Sequence, residues 1–189
     1  MLDLTLTFLR DVAKDYLKSH GDPALGQVTV TQLVKSTGQY GMAENSIGLS
    51  LLNVVEERIM REQVPQPRLR GGQHLTPPLP LRVNLYVIFA AHYQDYGQAL
   101  RQLSLVLACF RSTPVFTPAN HGALDPRLER LSLDLVSPSF EQLNQIWAFI
   151  GGKQLPSAIY RVRSLRIEDP GPRDMRPPVL DLQPVVEPK

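Results

Sequence analysis

Residues 81–92, "LRVNLYVIFAAH", constrain the fold more than any other stretch. Leu81, Val83, Leu85, Val87 and Phe89 fall on one side at period two. Tyr86, Ile88 and Ala90 make much of the opposite side apolar too. A strand that is apolar on both sides must lie in the middle of a sheet whose two faces are covered. The rest of the chain therefore has to supply flanking strands and helices for both faces.

The flanking segments fit that demand. Leu2, Leu6, Leu9, Ala13, Tyr16 and Leu17 recur at helical spacing, which predicts an amphipathic helix from Leu2 to about Lys18, stopped by "HGDP". "VTVTQL", 28–33, reads as a short strand by its β-branched content. In "SIGLSLLNVVEER", Ile47, Leu49, Leu51 and Val55 share one strand face, with Asn53 as a polar exception. "DYGQALRQLSLVLACFRS" is a helix with Ala99, Leu100, Leu103, Val106, Leu107 and Phe110 on its buried stripe. "RLSLDLV" alternates Leu131, Leu133 and Leu135 with Ser132 and Asp134, a strand with one wet face.

"SFEQLNQIWAFIGGKQLPSAIYRVRSLRI", 139–167, holds the densest local signals. Ser139 and Gln142 have capping-box spacing. Phe140, Leu143, Trp147 and Ile150 share a helix face, and Gly151–Gly152 sit where a left-handed cap lacks a Cβ. Pro156 marks the turn into a strand with Tyr160 and Val162 on one side, Arg161 and Arg163 on the other. The mixed order of helices and strands points to an α+β fold, a largely antiparallel or mixed β-sheet with packed helices.

Proline marks what lies outside this pattern. Pro65, Pro67, Pro77, Pro78 and Pro80 crowd residues 60–80, read as a long loop rich in Pro, Gly and Arg. Six more of the 17 prolines follow Glu168. The chain thus divides into a domain over 1–168 and a proline-rich tail over 169–189.

Motifs for chemistry are absent from the reading. "GGK" at 151–153 follows a helix and precedes Gln154, so it lacks the strand and the Ser or Thr of a phosphate-binding loop. Cys109 sits among Val106 and Phe110 as a small core hydrophobe. As the sole cysteine it excludes an internal disulfide and a Cys-based zinc site, and it suits a cytoplasmic folding environment. His20, His74, His92 and His121 show no metal-binding spacing. Glu56 and Glu57 read as a solvated charge cluster, and Asn144 and Gln145 as an exposed helix flank. A net charge of +2 is no footprint of nucleic-acid binding. The apolar run "LYVIFAA" is too short to span a bilayer, and the N-terminus lacks the basic start and small-residue cleavage site of a signal peptide. No enzyme, metal or cofactor is expected.

Three stretches, "IGLSLLNVVEERIMRE", "PLRVNLYVIFAAHYQDYGQALRQLSLVLACFRSTPVFTP" and "LSLDLVSPSFEQLNQIWAFIGGKQLPSAIYRVRSLRI", together resemble the cap, or tail-terminator, proteins of extracellular contractile injection systems. These are phage-tail-like particles such as the antifeeding prophage. The likeness covers about residues 1–168 and is carried by "VNLYVIFAA" and "SFEQLNQIWAFIGGKQLPSAIYRVR" in that order. Gln154, where an aromatic residue is common, and "AFI" before the glycines depart from the family pattern locally.

The resemblance implies a tail-terminator-like fold and a structural assembly role. It implies a hexameric ring that caps the distal end of the inner tube and contractile sheath; on charge and hydropathy, neither nucleic acid nor membrane is expected as a partner. Such a protein is cytoplasmic during assembly and then part of the released particle. A baseplate or tube adaptor of the same machine is the alternative, with a small hydrolase as the reading from another class. Within the assembly role, Arg161, Arg163 and Arg166 are expected to meet acidic groups of a neighbour, or else to guard a sheet edge. Arg61, Arg68 and Arg70 of the 60–80 segment are further partner-facing candidates. Val179, Leu180, Leu182, Val185 and Val186 of the tail are candidates for strand addition to another subunit.

Overall fold

A computed structural model describes residues 1–57, 68–70, 73–75, 81–167 and 175–176. Helix α1 runs Leu2–His20 and buries Leu6, Phe8, Leu9, Ala13 and Leu17, the stripe its spacing dictates. Strands β1 (Val28–Val30) and β2 (Ser46–Glu56) follow, then the short pair β3 (Arg68–Arg70) and β4 (Gln73–Leu75), and β5 (Leu81–His92). Helix α2 spans Tyr96–Ser112, with the Asp95 side chain accepting from the Gly97 amide at its start. Strands β6 (Val115–Phe116) and β7 (Leu131–Val136), helix α3 (Phe140–Ile150), and strands β8 (Ser157–Ile167) and β9 (Met175–Arg176) complete the order.

The main sheet has six strands in the order β1-β2-β5-β8-β7-β6. Only β1–β2 is a parallel pair; the others are antiparallel, so the fold is α+β with a mixed sheet. β5 lies inside it, as its two apolar faces require. One face of β5, with Val83, Leu85, Val87, Phe89 and Ala91, packs beneath α1 and α2 together with Ile47, Leu49, Tyr160 and Val162. Its other face, Ile88 and Ala90, packs against Trp147 of α3, Leu33, Met42 and Ile159. Complete burial of a Phe or Leu in such a core contributes roughly 1.5–3 kcal/mol per side chain.

Two irregularities change which residues share a face. Leu51 pairs with Val87 but Asn53 pairs with Tyr86, so β2 carries one extra residue there. Beyond this bulge, Asn53 and Val55 leave the face of Ile47, Leu49 and Leu51 and join that of Tyr86. The grouping of Val55 with Leu51 is thereby corrected, and Asn53 is no exception: it lies on the more open face. A second shift, between Val83 and Leu85, sets the two β5 steps against three residues of β8.

The stripe of α2 is also rotated from the expected one. Ala99, Gln102, Val106, Cys109 and Phe110 are buried, while Leu100 is 43% exposed. The buried side thus includes the amide of Gln102, while Leu100 faces solvent.

Within residues 60–80, β3 and β4 form an antiparallel pair, Arg68 opposite Leu75 and Arg70 opposite Gln73. Only "GG" separates them in sequence. They do not join the main sheet. Instead β9 from the tail pairs with β4, giving a separate three-stranded sheet in the order β3-β4-β9. The boundary at 168/169 lies outside the described residues.

Candidate assembly surface

Helix α3 is held at both ends by its own sequence. The Ser139 hydroxyl accepts from the Gln142 amide at 3.2 Å, and the Gln142 side chain accepts from the Ser139 amide at 3.0 Å. Gly151 closes the helix at φ 80°, a left-handed conformation that favours glycine. Gly152 then lies against Val34, with no room for a Cβ. Tyr40 donates its hydroxyl to the Lys153 carbonyl at 3.0 Å. These contacts fix the helix and the 31–42 segment together over one half of the sheet's second face.

The other half of that face is open. A row of residues crosses four strands there: Asn53 of β2 opposite Tyr86 of β5, Tyr86 opposite Arg161 of β8, and Arg161 opposite Asp134 of β7. The neighbouring row, Ile88, Ile159 and Val136, runs under α3. Between the two lies a groove of about 700 Å³, floored by Leu52, Asn53, Val55 and Tyr86 and walled by Gln142, Gln145, Ile146 and Phe149 of α3. Phe149 is 84% exposed and Phe140, at the first turn of the helix, 93%. Phe140 was expected on the buried face. It has the right phase, but the first turn extends past the apolar residues that Leu143, Ile146, Trp147 and Ile150 pack against.

The arginines of β8 find partners in their own chain. Arg161 Nη2 donates to Asp134 Oδ2 at 3.3 Å. Arg163 Nε lies 2.6 Å from the same oxygen, an ion-pair contact without hydrogen-bond alignment. Arg166 Nη1 lies 3.8 Å from Glu129 Oε1. At Arg161 and Arg163 strand β8 runs between β5 and β7, so edge protection does not account for those two charges, whereas Arg166 lies beyond the β7 pairing, opposite Arg82 of β5. They line the open half of a sheet face, where two arginines share one aspartate.

Of the other sequence candidates, Arg68 and Arg70 lie in β3. Arg61, Val179, Leu180, Leu182, Val185 and Val186 lie outside the described residues. The sequence reading missed Tyr86 and Phe149 as surface features. The bulge at Leu51/Asn53 that aligns Asn53 with Tyr86 depends on cross-strand pairing, which no local pattern reports.

The remaining reactive groups are occupied structurally. Cys109 is buried, and burial pushes its thiol up to about 12. His20 stacks on Tyr16, His92 lies tilted against Tyr40, and His121 packs edge-on against Phe8 and Phe116. A second cleft, of about 370 Å³, runs between α1 and residues 121–126. Of its carboxylates, Asp11 is already bonded to Arg10 and Asp125 to Arg127. Among the described residues no three His, Cys, Asp or Glu converge to hold a metal ion.

The fold is similar to those of known proteins. A family model described as the Pvc16 N-terminal domain matches residues 6–181. No curated protein matches the chain in sequence. Among solved structures, the fold is similar to the sheath/tube terminator, in its extended state, of PVC, an extracellular contractile injection system. The TM-score there is 0.61 and the identity 16%, over 95% of this chain and 62% of that one. It is also similar to the tube-terminating cap of the anti-feeding prophage, with a TM-score of 0.59 and 17% identity, over 95% of this chain and 60% of that one. The chain thus spans about three fifths of the length of these two relatives.

Proposed function

The chain belongs to the Pvc16 N-terminal domain family, and from that membership we propose that it is a structural assembly protein that caps a phage-tail-like injection particle. It ends the inner tube and the contractile sheath at the distal end. The observation that carries this reading is the shared fold over 95% of the chain with a sheath/tube terminator and with a tube-terminating cap. The protein works as a ring of identical subunits, six in number to match a six-fold tube, and its partners are the sheath and tube subunits. It assembles in the cytoplasm and leaves the cell as part of the particle.

The open face of the sheet supports a binding role over a catalytic one. It presents apolar side chains, amides and a guanidinium pair, with no nucleophile and base in contact among the described residues. Such a surface recognises another protein by shape, burial and charge.

Imaging tests the proposal. Particles made without this protein should have uneven lengths and open distal ends, and supplying the protein should restore a uniform length. Particles of normal length and closure in its absence would exclude the capping role.

A further inference from the structure

The groove beside α3 and the tail complement each other in chemical character. The groove offers Leu52, Val55, Tyr86 and Phe149 as an apolar trough of about 700 Å³, within the range of roughly 300–1,000 Å³ that binding clefts occupy. Beside it, Arg161 and Arg163 share the single carboxylate of Asp134, leaving one positive charge in surplus among those three. A fitting occupant is a short apolar segment that carries acid.

The chain itself encodes such a segment. Residues 179–187, "VLDLQPVVE", set Val179, Leu180, Leu182, Val185 and Val186 beside Asp181 and Glu187. Strand β9 shows the direction of the chain just before this segment. Met175 pairs with Leu75 and Arg176 with His74, so β9 runs antiparallel to β4. At Arg176 the chain is therefore heading toward the Arg70/Gln73 end of the β3–β4 pair, away from the end of β4 that leads back to β5. Pro177 and Pro178 come next. Thirteen residues remain after Arg176, a reach of roughly 45 Å when extended.

We propose that the 179–187 segment of one copy docks in the α3 groove of an adjacent copy, its apolar side chains on Phe149, Val55 and Tyr86 and its acids toward Arg161 and Arg163. This deepens the ring reading, since it names a contact by which subunits of one ring hold each other. Each subunit gives one tail and offers one groove, which is the head-to-tail arrangement that closes into rings.

A photocross-linking experiment on the full chain tests it. Phe149 is replaced by p-benzoylphenylalanine, a tolerable change at so exposed a site, in nitrogen-15-labelled protein. This is mixed with unlabelled wild-type chain and irradiated. Mass spectrometry should find position 149 of the heavy chain joined to residues 179–187 of the light chain. The double variant Leu180→Asp/Leu182→Asp in the light chain should lower that yield at least tenfold. Cross-links confined to heavy chains within themselves, cross-links to other regions only, or an undiminished yield from the double variant would overturn the docking. Particle imaging reads capping separately: length control lost without the 149–tail cross-link would sink this docking alone, and the cross-link with normal particles made without the protein would sink capping alone.

Discussion

Arg161 and Asp134 face each other across the β7–β8 ladder, the guanidinium donating to the carboxylate at 3.3 Å while Arg163 approaches the same oxygen at 2.6 Å. All three side chains are between a third and a half exposed, so water screens the pair. Asp134→Ala should therefore cost only about 0.5–1 kcal/mol. Urea unfolding measures it; a loss above about 3 kcal/mol would mean a buried network instead.

The caps of α3 make a larger local contribution. Ser139→Ala removes one arm of the capping box and should cost about 1 kcal/mol. The urea midpoint should fall with the slope unchanged. An unshifted midpoint would show that the helix is held by Trp147 and its apolar neighbours alone.

Gly41 should be the least replaceable residue of the 31–42 segment. A Cβ there would run into the Gln32 backbone carbonyl, which cannot swing aside as a side chain can. Gly41→Ala should destabilise by more than about 1 kcal/mol and loosen the packing on Trp147. Trp147 is the sole tryptophan, so its fluorescence should shift to the red. Gly122→Ala meets nothing within 4 Å and serves as the control that should be neutral or slightly stabilising.

Much of this architecture is legible in the sequence, for a physical reason. Period and end signals are local: the α1 stripe, the two-faced β5 and the Ser139–Gln142 box are each set by residues within a few positions of one another. The rest depends on partners far along the chain. Arg161 meets Asp134 only because β7 pairs with β8, 27 residues apart. Asn53 changes face because of a bulge that exists only relative to β5. The phase of α2 departs from its apolar spacing because Gln102 is buried and Leu100 is exposed, against their individual preferences. The groove combines β2, β5 and α3, and no single segment could reveal it.

Stability should fall in alkali. Burial pushes Cys109, Tyr93 and Tyr160 each up to about 12, from ordinary values of 9.0 for the thiol and 10.0 for the phenols. Tyr93 donates its hydroxyl to the Leu25 carbonyl at 2.7 Å, which deprotonation would abolish. The unfolded chain therefore gives up these protons first. The stabilisation is complete below about pH 9 and is lost as pH climbs toward 12. Urea midpoints at pH 8 and pH 11 should differ, the second lower, and Cys109 should resist alkylation at pH 8 until the chain unfolds. Equal midpoints, or rapid alkylation of the native protein, would contradict the burial of these groups.

The position of the protein in an intact particle tests the central claim most directly. Particles carrying a small affinity tag on this chain can be labelled with gold and imaged. The account predicts gold at one end only, the end opposite the baseplate, on the last ring of the tube and sheath. Gold at the baseplate would identify an adaptor instead, and particles without gold would exclude the protein from the assembly.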